Sequence, residues 1–413
     1  MTRTQSVFFP AAVAILVHAV IFVVTGLWMR YGRHPDLGAA SWTYQIYYDY
    51  ASRAVRGEVP YRDYLVEYPV LSFPLFLIPR LIAADFWCYR IAFVVEMFLF
   101  DAAAIVLIAR HVRENEEIAP VPERLGWYTL FCGILSPLVI GRFELPPMVL
   151  AFAAARWWFL GKYALGGIVA GLGALLKIFP GLVAGPALIW ELSRLRLSRG
   201  RGFLAFLTTL TAGSAGWFLL GGPQVLSSFQ YHADRGLEIE TVYGAAVMAH
   251  GKIRGIEVPW VIEHKAVHLA PEWGSRFASM APLVQMAALL VVLVQFWRTR
   301  AVEGIRFAGA AVLAYLALGK VLSPQYLIWL FPFLVTIGGW TGSRARWLFL
   351  FCCLITSLIY PGPGFAQILD HQALAIVMLN VRNLLLLAVL GLLLFGPRTA
   401  QSNATGNANP LSV

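Results

Sequence analysis

Long apolar segments, separated by short polar stretches, recur from one end of the 413-residue chain to the other. Segments of this kind cross about 30 Å of hydrocarbon as helices, and the strict alternation of a membrane β-barrel strand does not recur. The predicted spans are 7–29, 87–109, 125–141, 146–161, 163–178, 180–191, 203–220, 276–297, 305–319, 322–339, 345–361 and 374–396. The pattern therefore predicts an all-α polytopic membrane protein with about twelve transmembrane helices.

Residues 69–84, PVLSFPLFLIPRLIAA, are apolar but are not counted as a span. The segment is short, is interrupted by prolines and carries Arg80 near its end, so we expect it to be re-entrant or to lie along the membrane surface. Lysine and arginine favour the cytoplasmic side of a membrane. With a cytoplasmic N-terminus the arginine cluster at 194–201 is cytoplasmic, whereas a further crossing at 69–84 would place that cluster outside.

The same topology places two long loops, 30–86 and 221–275, on the extracytoplasmic side. No internal repeat divides the chain, so residues 1–396 are predicted to form a single integral-membrane domain. The tail 397–413 is polar and rich in small residues, and it is predicted to be disordered and cytoplasmic. The first apolar segment is too long for a cleaved signal peptide and is expected to remain as an anchor.

The composition agrees with insertion into a membrane. Hydrophobic residues make up 59% of the chain and charged residues 13%, against roughly one quarter charged in soluble domains. The net charge of +10 does not indicate nucleic acid, because the arginines lie in short loops where membrane orientation explains them. The four cysteines, Cys88, Cys132, Cys352 and Cys353, lie in apolar segments without metal-ligand spacing, so they are predicted to be packing residues. No metal or cofactor is expected.

The stretch Tyr47–Pro69 in the first loop combines carboxylates with many tyrosines. Its acids Asp49, Asp63 and Glu67 are candidates for a general base, because a carboxylate partly desolvated by aromatic rings is able to take a proton from a hydroxyl. The alternative is that neighbouring arginines only neutralise these acids in a folded loop. The acids as a group favour a functional site.

Cationic and amide groups recur at the predicted outer ends of the spans. Single basic residues at such places often extend their charge to the lipid headgroups, but several on one face of the membrane indicate an anionic ligand. Phosphate is the natural candidate, because guanidinium and ammonium groups stabilise the charge of a departing phosphate. The residues predicted to bind substrate are Arg142, Lys177, Tyr231, His232, Asp234, Arg235, Lys320 and Gln325.

Several polar residues inside or near the spans receive a structural interpretation. Glu96, Asp101 and Arg382 are predicted to supply a buried ion pair, although the sequence does not show which two residues form it. His18 is expected to be a packed or hydrogen-bonded residue. His264 and His268 are four residues apart but lack an acidic third ligand in register, so they are interpreted as solvent-exposed loop histidines and not as a metal site.

The motifs, taken in order, resemble those of a known family. YxxYA is followed by GxxPYRDxxxEYP, RFE, LGGIVAGLGALLKIFP, YHADRGLxIE and GKVLSPQYLIWL. This order resembles bacterial glycosyltransferase family 87, which consists of polyprenyl-phosphate-sugar-dependent enzymes of the GT-C superfamily. The resemblance implies a GT-C-like fold in the cytoplasmic membrane and inverting transfer of a mannose-like hexose, outside the cytoplasm, from a polyprenyl-phosphate donor to a lipid or glycan acceptor. A first-loop carboxylate would be the base.

Two positions depart from the pattern of that family. An aspartate usually lies four residues before the first tyrosine of YxxY, and this chain has Thr43 there. The base is then Asp36, Asp49, Asp63 or Glu67, or the activity is lost. The usual RFD is RFE here, which makes Glu144 the candidate acid of the second loop.

The sequence leaves three functional hypotheses. The first is the glycosyltransferase. The second is a membrane transporter or lipid flippase, for which we would expect polar groups near the midplane, where this sequence places few. The third is a catalytically inactive, lipid-binding protein that keeps the GT-C fold, which the threonine at position 43 favours.

Overall fold

The computed structural model describes residues 5–31, 37–115, 121–194, 200–299 and 303–398, and it is predominantly helical. The helices of the first half are α1 Gln5–Tyr31, α2 Leu37–Val55, α3 Ser72–Ile82, α4 Phe86–Glu114, α5 Val121–Ile134, α6 Ser136–Gly141, α7 Leu145–Phe159, α8 Tyr163–Leu176, α9 Ala184–Arg194 and α10 Arg201–Gly221. Those of the second half are α11 Ser227–Ala233, α12 Val242–Arg254, α13 Pro271–Arg298, α14 Gly304–Ala317, α15 Phe331–Thr336, α16 Gly339–Ile359, α17 Gly364–Leu369 and α18 Ala373–Phe395. Short 3₁₀ helices cover Phe179–Val183, Gly222–Leu226 and Pro324–Leu330, and two antiparallel strands, β1 Trp260–Glu263 and β2 Ala266–Leu269, form a hairpin.

Within the described residues, six helical segments are long and apolar enough to cross a membrane, judged by length and composition: Phe8–Tyr31, Phe86–Glu114, Arg201–Ala233, Pro271–Arg298, Gly339–Ile359 and Ala373–Phe395. The prediction of an all-α membrane protein is therefore supported. The other six predicted spans coincide with shorter helices, several of them interrupted at prolines. Pro137 and Pro180 lie at such breaks, because proline lacks the backbone N–H that would continue the helix. Twelve crossings remain a prediction.

The helices pack around a large apolar core to which most of them contribute. Helix α8 lies between α7 and α10, and small residues allow the close contact with α10. A Cβ atom placed on Gly167 would lie 1.9 Å from the carbonyl oxygen of Gly202, so the two backbones touch where a side chain would separate them. Close backbone contact between small residues is typical of helices in membranes.

Two segments of the first loop, α2 and α3, are helical, and the sequence analysis did not anticipate α2. Helix α2 buries Tyr44 and Tyr47, and the ring of Tyr47 stacks on Phe76 of α3 at 4.3 Å between centroids. Helix α3 has 11 residues. At 1.5 Å per residue it extends for about 16 Å, roughly half of the hydrocarbon thickness. Its length thus agrees with the exclusion of 69–84 from the spans; whether α3 is re-entrant or interfacial stays a prediction.

The interpretation of the two loop histidines is wrong for His268. This residue is on strand β2 and is 0% exposed, whereas His264 lies in the hairpin turn with a φ of 48°. The apolar residues on both sides of the polar turn pair as strands, and that pairing places the ring of His268 in the interior.

The polar residues of the spans form a network that the sequence did not reveal. His18 on α1 lies 2.6 Å from a carboxylate oxygen of Asp101 on α4, and its other ring nitrogen lies 2.9 Å from the hydroxyl of Thr129 on α5. Asp101 also accepts a hydrogen bond from Tyr128 at 2.7 Å. The expected hydrogen bonding of His18 is confirmed, and the partner of Asp101 is this histidine and not Arg382.

Two further predictions concern the cysteines and the tail. All four cysteines are free; Cys132, Cys352 and Cys353 are buried, but Cys88 is exposed, so a packing role is wrong for Cys88. Cys88 is the third residue of α4, which begins at Phe86. The predicted tail 397–413 lies outside the described residues except for Pro397 and Arg398.

Candidate functional site

A cavity of about 440 Å³ lies where the first loop, the second long loop and the segments after α6, α8 and α14 come together. Nine of the twelve predicted site residues line it: Glu67, Arg142, Glu144, Lys177, Tyr231, His232, Arg235, Lys320 and Gln325. These residues come from parts of the chain as far apart as positions 67 and 325. The structure therefore brings most of the predicted site into a single cavity.

Three predicted site residues do not line this cavity. Asp49 is exposed and accepts a hydrogen bond from Gln45 at 2.7 Å. Asp63 is exposed and is held by the Arg62 side chain and by the backbone N–H of Val59, which keep the pKa of its carboxyl low, at about 2. A carboxylate with so low a pKa is a weak base.

Asp234, the third, is exposed at the end of α11. The other first-loop candidate, Asp36, lies outside the described residues.

Glu144 forms a buried ion pair in the cavity wall. Arg142 and Glu144 lie in the connection between α6 and α7, where Glu144 precedes the prolines that start α7. The Lys177 ammonium lies 2.7 Å from each carboxylate oxygen of Glu144, and the indole N–H of Trp329 donates to one of them at 2.6 Å. Because these three contacts occupy the carboxylate, Glu144 is better suited to holding Lys177 than to taking a proton.

Arg142 contacts the residue that replaces the expected aspartate. Its guanidinium donates a hydrogen bond to the hydroxyl of Thr43 on α2. Among the ion pairs of the described residues, none involves Arg142. An aspartate at position 43 would neutralise this arginine, whereas threonine leaves its charge available to an anion in the cavity.

Among the described acids of the first loop, Glu67 is the one that lines the cavity. Its residue is only 7% exposed, and a carboxylate oxygen lies 3.2 Å from the ammonium of Lys265. The ring of His232 lies 3.1 Å from the backbone carbonyl oxygen of Glu67, which ties this segment to α11. Glu67 is thus held between the first loop and the second.

Lys265 is a site residue that the sequence analysis missed. It lies in the turn of the β1–β2 hairpin, and the hydroxyl of Tyr231 donates to the adjacent carbonyl of His264 at 2.6 Å. The sequence did contain a signal for this hairpin: two mainly apolar stretches, WVI and AVHL, flank the polar residues EHK. This pattern is typical of a hairpin. The hairpin tip is one wall of the cavity.

The motif YHADRGLEIE supplies two more carboxylates, Glu238 and Glu240, that were not assigned to the site. Glu238 pairs with Arg235 and accepts a hydrogen bond from the backbone N–H of Leu322 at 2.8 Å, while burial raises the pKa of its carboxyl. Burial also raises the pKa of Glu240, to about 8, although the nearby Arg382 opposes the shift. Glu240 is therefore mostly protonated at neutral pH.

Lys320 connects the same motif to the segment after α14. Its ammonium donates to the carbonyl oxygens of Ala233 at 2.6 Å and Arg235 at 2.8 Å. Two of its three N–H groups are thus used by the backbone, which gives Lys320 a structural role beside any contact with a ligand.

The charges of the cavity favour an anion. Among the described residues that line it, five are basic, namely Arg142, Lys177, Arg235, Lys265 and Lys320, and four are glutamates, namely Glu67, Glu144, Glu238 and Glu240. With Glu240 protonated, the wall carries a net positive charge at neutral pH.

A metal fits the cavity poorly, because three of its glutamates are already paired with cations. The group of potential metal ligands found among the described residues is His18, Asp101 and Cys132, on α1, α4 and α5. The hydrogen bonds of His18 and Asp101 with each other and with Thr129 and Tyr128 account for that group without an ion. No family model matches the chain, and no curated protein matches it significantly.

Proposed function

We propose that the protein is an integral-membrane glycosyltransferase that moves a hexose from a polyprenyl-phosphate sugar to a hydroxyl of a lipid or glycan acceptor. The observation that carries this proposal is the cavity, which holds a carboxylate, Glu67, and a half-buried guanidinium, Arg142, that has no carboxylate partner among the described ion pairs. Transfer of this kind needs one group to accept a proton and another to stabilise a departing phosphate. The order of the sequence motifs supports the same reaction.

Glu67 is assigned as the base among the candidate acids. Asp49 and Asp63 lie outside the cavity, and Glu144 is occupied by Lys177 and Trp329. In the proposed step the acceptor oxygen attacks the anomeric carbon while its proton passes to the carboxylate of Glu67. The bond between that carbon and the phosphate oxygen breaks, and the electron pair leaves with the lipid phosphate. Attack opposite the leaving group inverts the anomeric centre.

Arg142 is assigned to the phosphate. Its guanidinium presents several N–H donors, of which the Thr43 hydroxyl takes one, and the remainder suit two phosphate oxygens. Arg235 and Lys320 extend the positive wall. Lys265 positions Glu67, so we expect it to affect turnover without contacting the reacting atoms.

The test uses full-length protein in lipid nanodiscs, a panel of polyprenyl-phosphate hexoses as donors and a glycolipid acceptor. We expect hexose transfer by the wild type and a loss of turnover of at least about 10²-fold in Glu67→Gln, as for removal of a general base. Glu58→Gln is the matched control, because Glu58 belongs to the same loop but pairs with Arg53 at its surface. Wild-type turnover in Glu67→Gln would remove Glu67 as the base.

A second candidate is a catalytically inactive protein that binds lipid phosphates, and the contact between Thr43 and Arg142 favours it. In that case the wild type transfers no sugar from any donor but binds polyprenyl phosphate. Thr43→Asp separates the two candidates. Activity that appears only in Thr43→Asp supports the inactive form, whereas an active wild type that loses donor affinity in Thr43→Asp supports the transferase.

A further inference from the structure

A groove separate from the cavity runs between α16 and α18 on the outer surface of the helices. Trp340, Arg344, Trp347 and Phe351 line it from α16, and Gly391 and Leu392 line it from α18. The three aromatic side chains are 54%, 50% and 51% exposed, which is the exposure of side chains that face lipid. Because α16 and α18 are long and apolar enough to span a membrane, we expect the groove to open to its hydrocarbon.

The depth of the groove depends on small residues in α18. A Cβ atom on Gly391 would meet nothing within 4 Å, so a side chain at this position would project into open space. The lining residue one turn earlier is Ala388. A groove of this shape accommodates a chain of methylene groups, and a large residue at position 391 would fill it.

The polarity of the groove changes along its length. The hydroxyl of Thr341, near the start of α16, donates to the carbonyl of Pro397, just beyond α18, at 2.8 Å. This end of the groove therefore lies where α16 begins and α18 ends. Arg344 lies near that end, with its guanidinium 5.7 Å from the ring centroid of Trp340. Phe351 is seven residues further along α16, which corresponds to about 10 Å toward the membrane interior.

The groove thus has a cationic end flanked by two tryptophans and an apolar end. Tryptophan and arginine at the end of a span lie at the level of the lipid headgroups. Among the described ion pairs and hydrogen bonds, none occupies the guanidinium of Arg344. Basic pockets between transmembrane helices bind anionic headgroups.

We propose that this groove binds an anionic glycerophospholipid, with its phosphate at Arg344 and an acyl chain along Phe351, Ala388 and Gly391. The inference does not depend on the proposed transferase activity, because none of these residues lines the cavity. The positive charge of Arg344 favours an anionic headgroup, and the open space at Gly391 accommodates an acyl chain.

The experiment titrates detergent-purified, delipidated full-length protein with phosphatidylglycerol or phosphatidylcholine of identical acyl chains and counts bound lipids by native mass spectrometry. We expect wild-type protein to prefer phosphatidylglycerol by about fivefold, the factor for one basic residue close to a phosphate. Arg344→Gln should abolish the preference. Gly391→Leu should lower the binding of both lipids, since the new side chain occupies the space of the acyl chain.

Two substitutions control for general effects on lipid binding. Arg298→Gln removes an exposed arginine that also lies beside an exposed tryptophan at a helix end, and Gly216→Leu adds a side chain at another open, exposed glycine. Both should bind as the wild type does. Equal binding of the two lipids by the wild type, or losses in the controls as large as those in Arg344→Gln and Gly391→Leu, would overturn the proposal.

Discussion

Removing the negative charge of Glu144 should destabilise the fold strongly. The Glu144 side chain is 3% exposed and that of Lys177 14%, and two contacts of 2.7 Å join the ammonium to the carboxylate. Breaking a buried pair on one side leaves an uncompensated charge and typically costs about 3–5 kcal/mol. Glutamine keeps one oxygen that accepts from Lys177 or Trp329, so we expect Glu144→Gln to lose about 3 kcal/mol of unfolding free energy.

The double variant Glu144→Gln/Lys177→Met measures the interaction between the two residues separately from their contacts with other residues. Because it removes both charges, its loss should be smaller than the sum of the single losses by at least about 1 kcal/mol. Unfolding is measured by intrinsic fluorescence in mixed micelles as the denaturing detergent increases. Glu58→Gln, in an exposed ion pair, serves as the control and should unfold with the wild type.

A loss below about 1 kcal/mol in Glu144→Gln would refute the argument, since that is the scale of exposed pairs. Strict additivity in the double variant would show that Lys177 and Glu144 do not interact in the way that their geometry indicates. Either result would also reopen Glu144 as a candidate base, because its occupation by Lys177 is the reason for excluding it.

Three further predictions concern pH, the first loop and helix packing. Burial raises the pKa of Glu240 to about 8 against 4.5 for the unfolded chain, so between these pH values the folded state binds more protons than the unfolded state. Stability should therefore fall as pH rises from 4.5 to about 8 and level off above it. Thermal unfolding measured across this range and above it should show a smaller fall in Glu240→Gln, and an equal fall would contradict this. Asp63→Asn should keep the rate of hexose transfer within about twofold of the wild type, because the weak basicity and exposed position of Asp63 exclude it as the base. A loss of about 10²-fold in that rate would make Asp63 the base again. Gly167→Ala should lower the free energy of unfolding by about 1–3 kcal/mol, because its Cβ would overlap the carbonyl of Gly202. The control Gly126→Ala has open space around it and should not destabilise the protein. Unfolding in mixed micelles measures both, and equal stability of the two variants would contradict the close packing.

The sequence predicts the helices well because hydrophobicity is a local property. Each of the twelve predicted spans coincides with a helical segment, and the prolines inside them explain why some are short. Length alone does not show whether a short helix crosses the membrane, since that depends on its neighbours and on its depth. Helix α2 escaped prediction because its tyrosines and polar residues were interpreted as loop chemistry, and the packing of Tyr44 and Tyr47 overrides that pattern.

The candidate site was predictable in its membership but not in its pairing. The motifs share a predicted face of the membrane, and Glu67, Arg142 and Lys177 line a single cavity, whereas Asp49, Asp63 and Asp234 share that predicted face but do not line it. The contact between Lys265 and Glu67 joins residues almost 200 positions apart, and the contact between Thr43 and Arg142 joins residues 99 positions apart. Long-range pairings of this kind depend on the tertiary fold, so no local pattern indicated that Glu144 would pair with Lys177 and Glu67 with Lys265.

The hydrogen bonds of His18 have a consequence for the assembly of the membrane helices. Much of α1 presents bulky apolar side chains to the surroundings, so its few interhelical hydrogen bonds contribute strongly to its position. Displacing α1 by a single residue moves it 1.5 Å along its axis, enough to break the contacts of His18 with both Asp101 and Thr129. In hydrocarbon no water replaces those bonds. His18, together with the buried hydrogen bond from Thr25 to Ser136 on α6, therefore fixes the position of the first helix along its axis, and an apolar helix of the same length without these polar groups would not substitute for it.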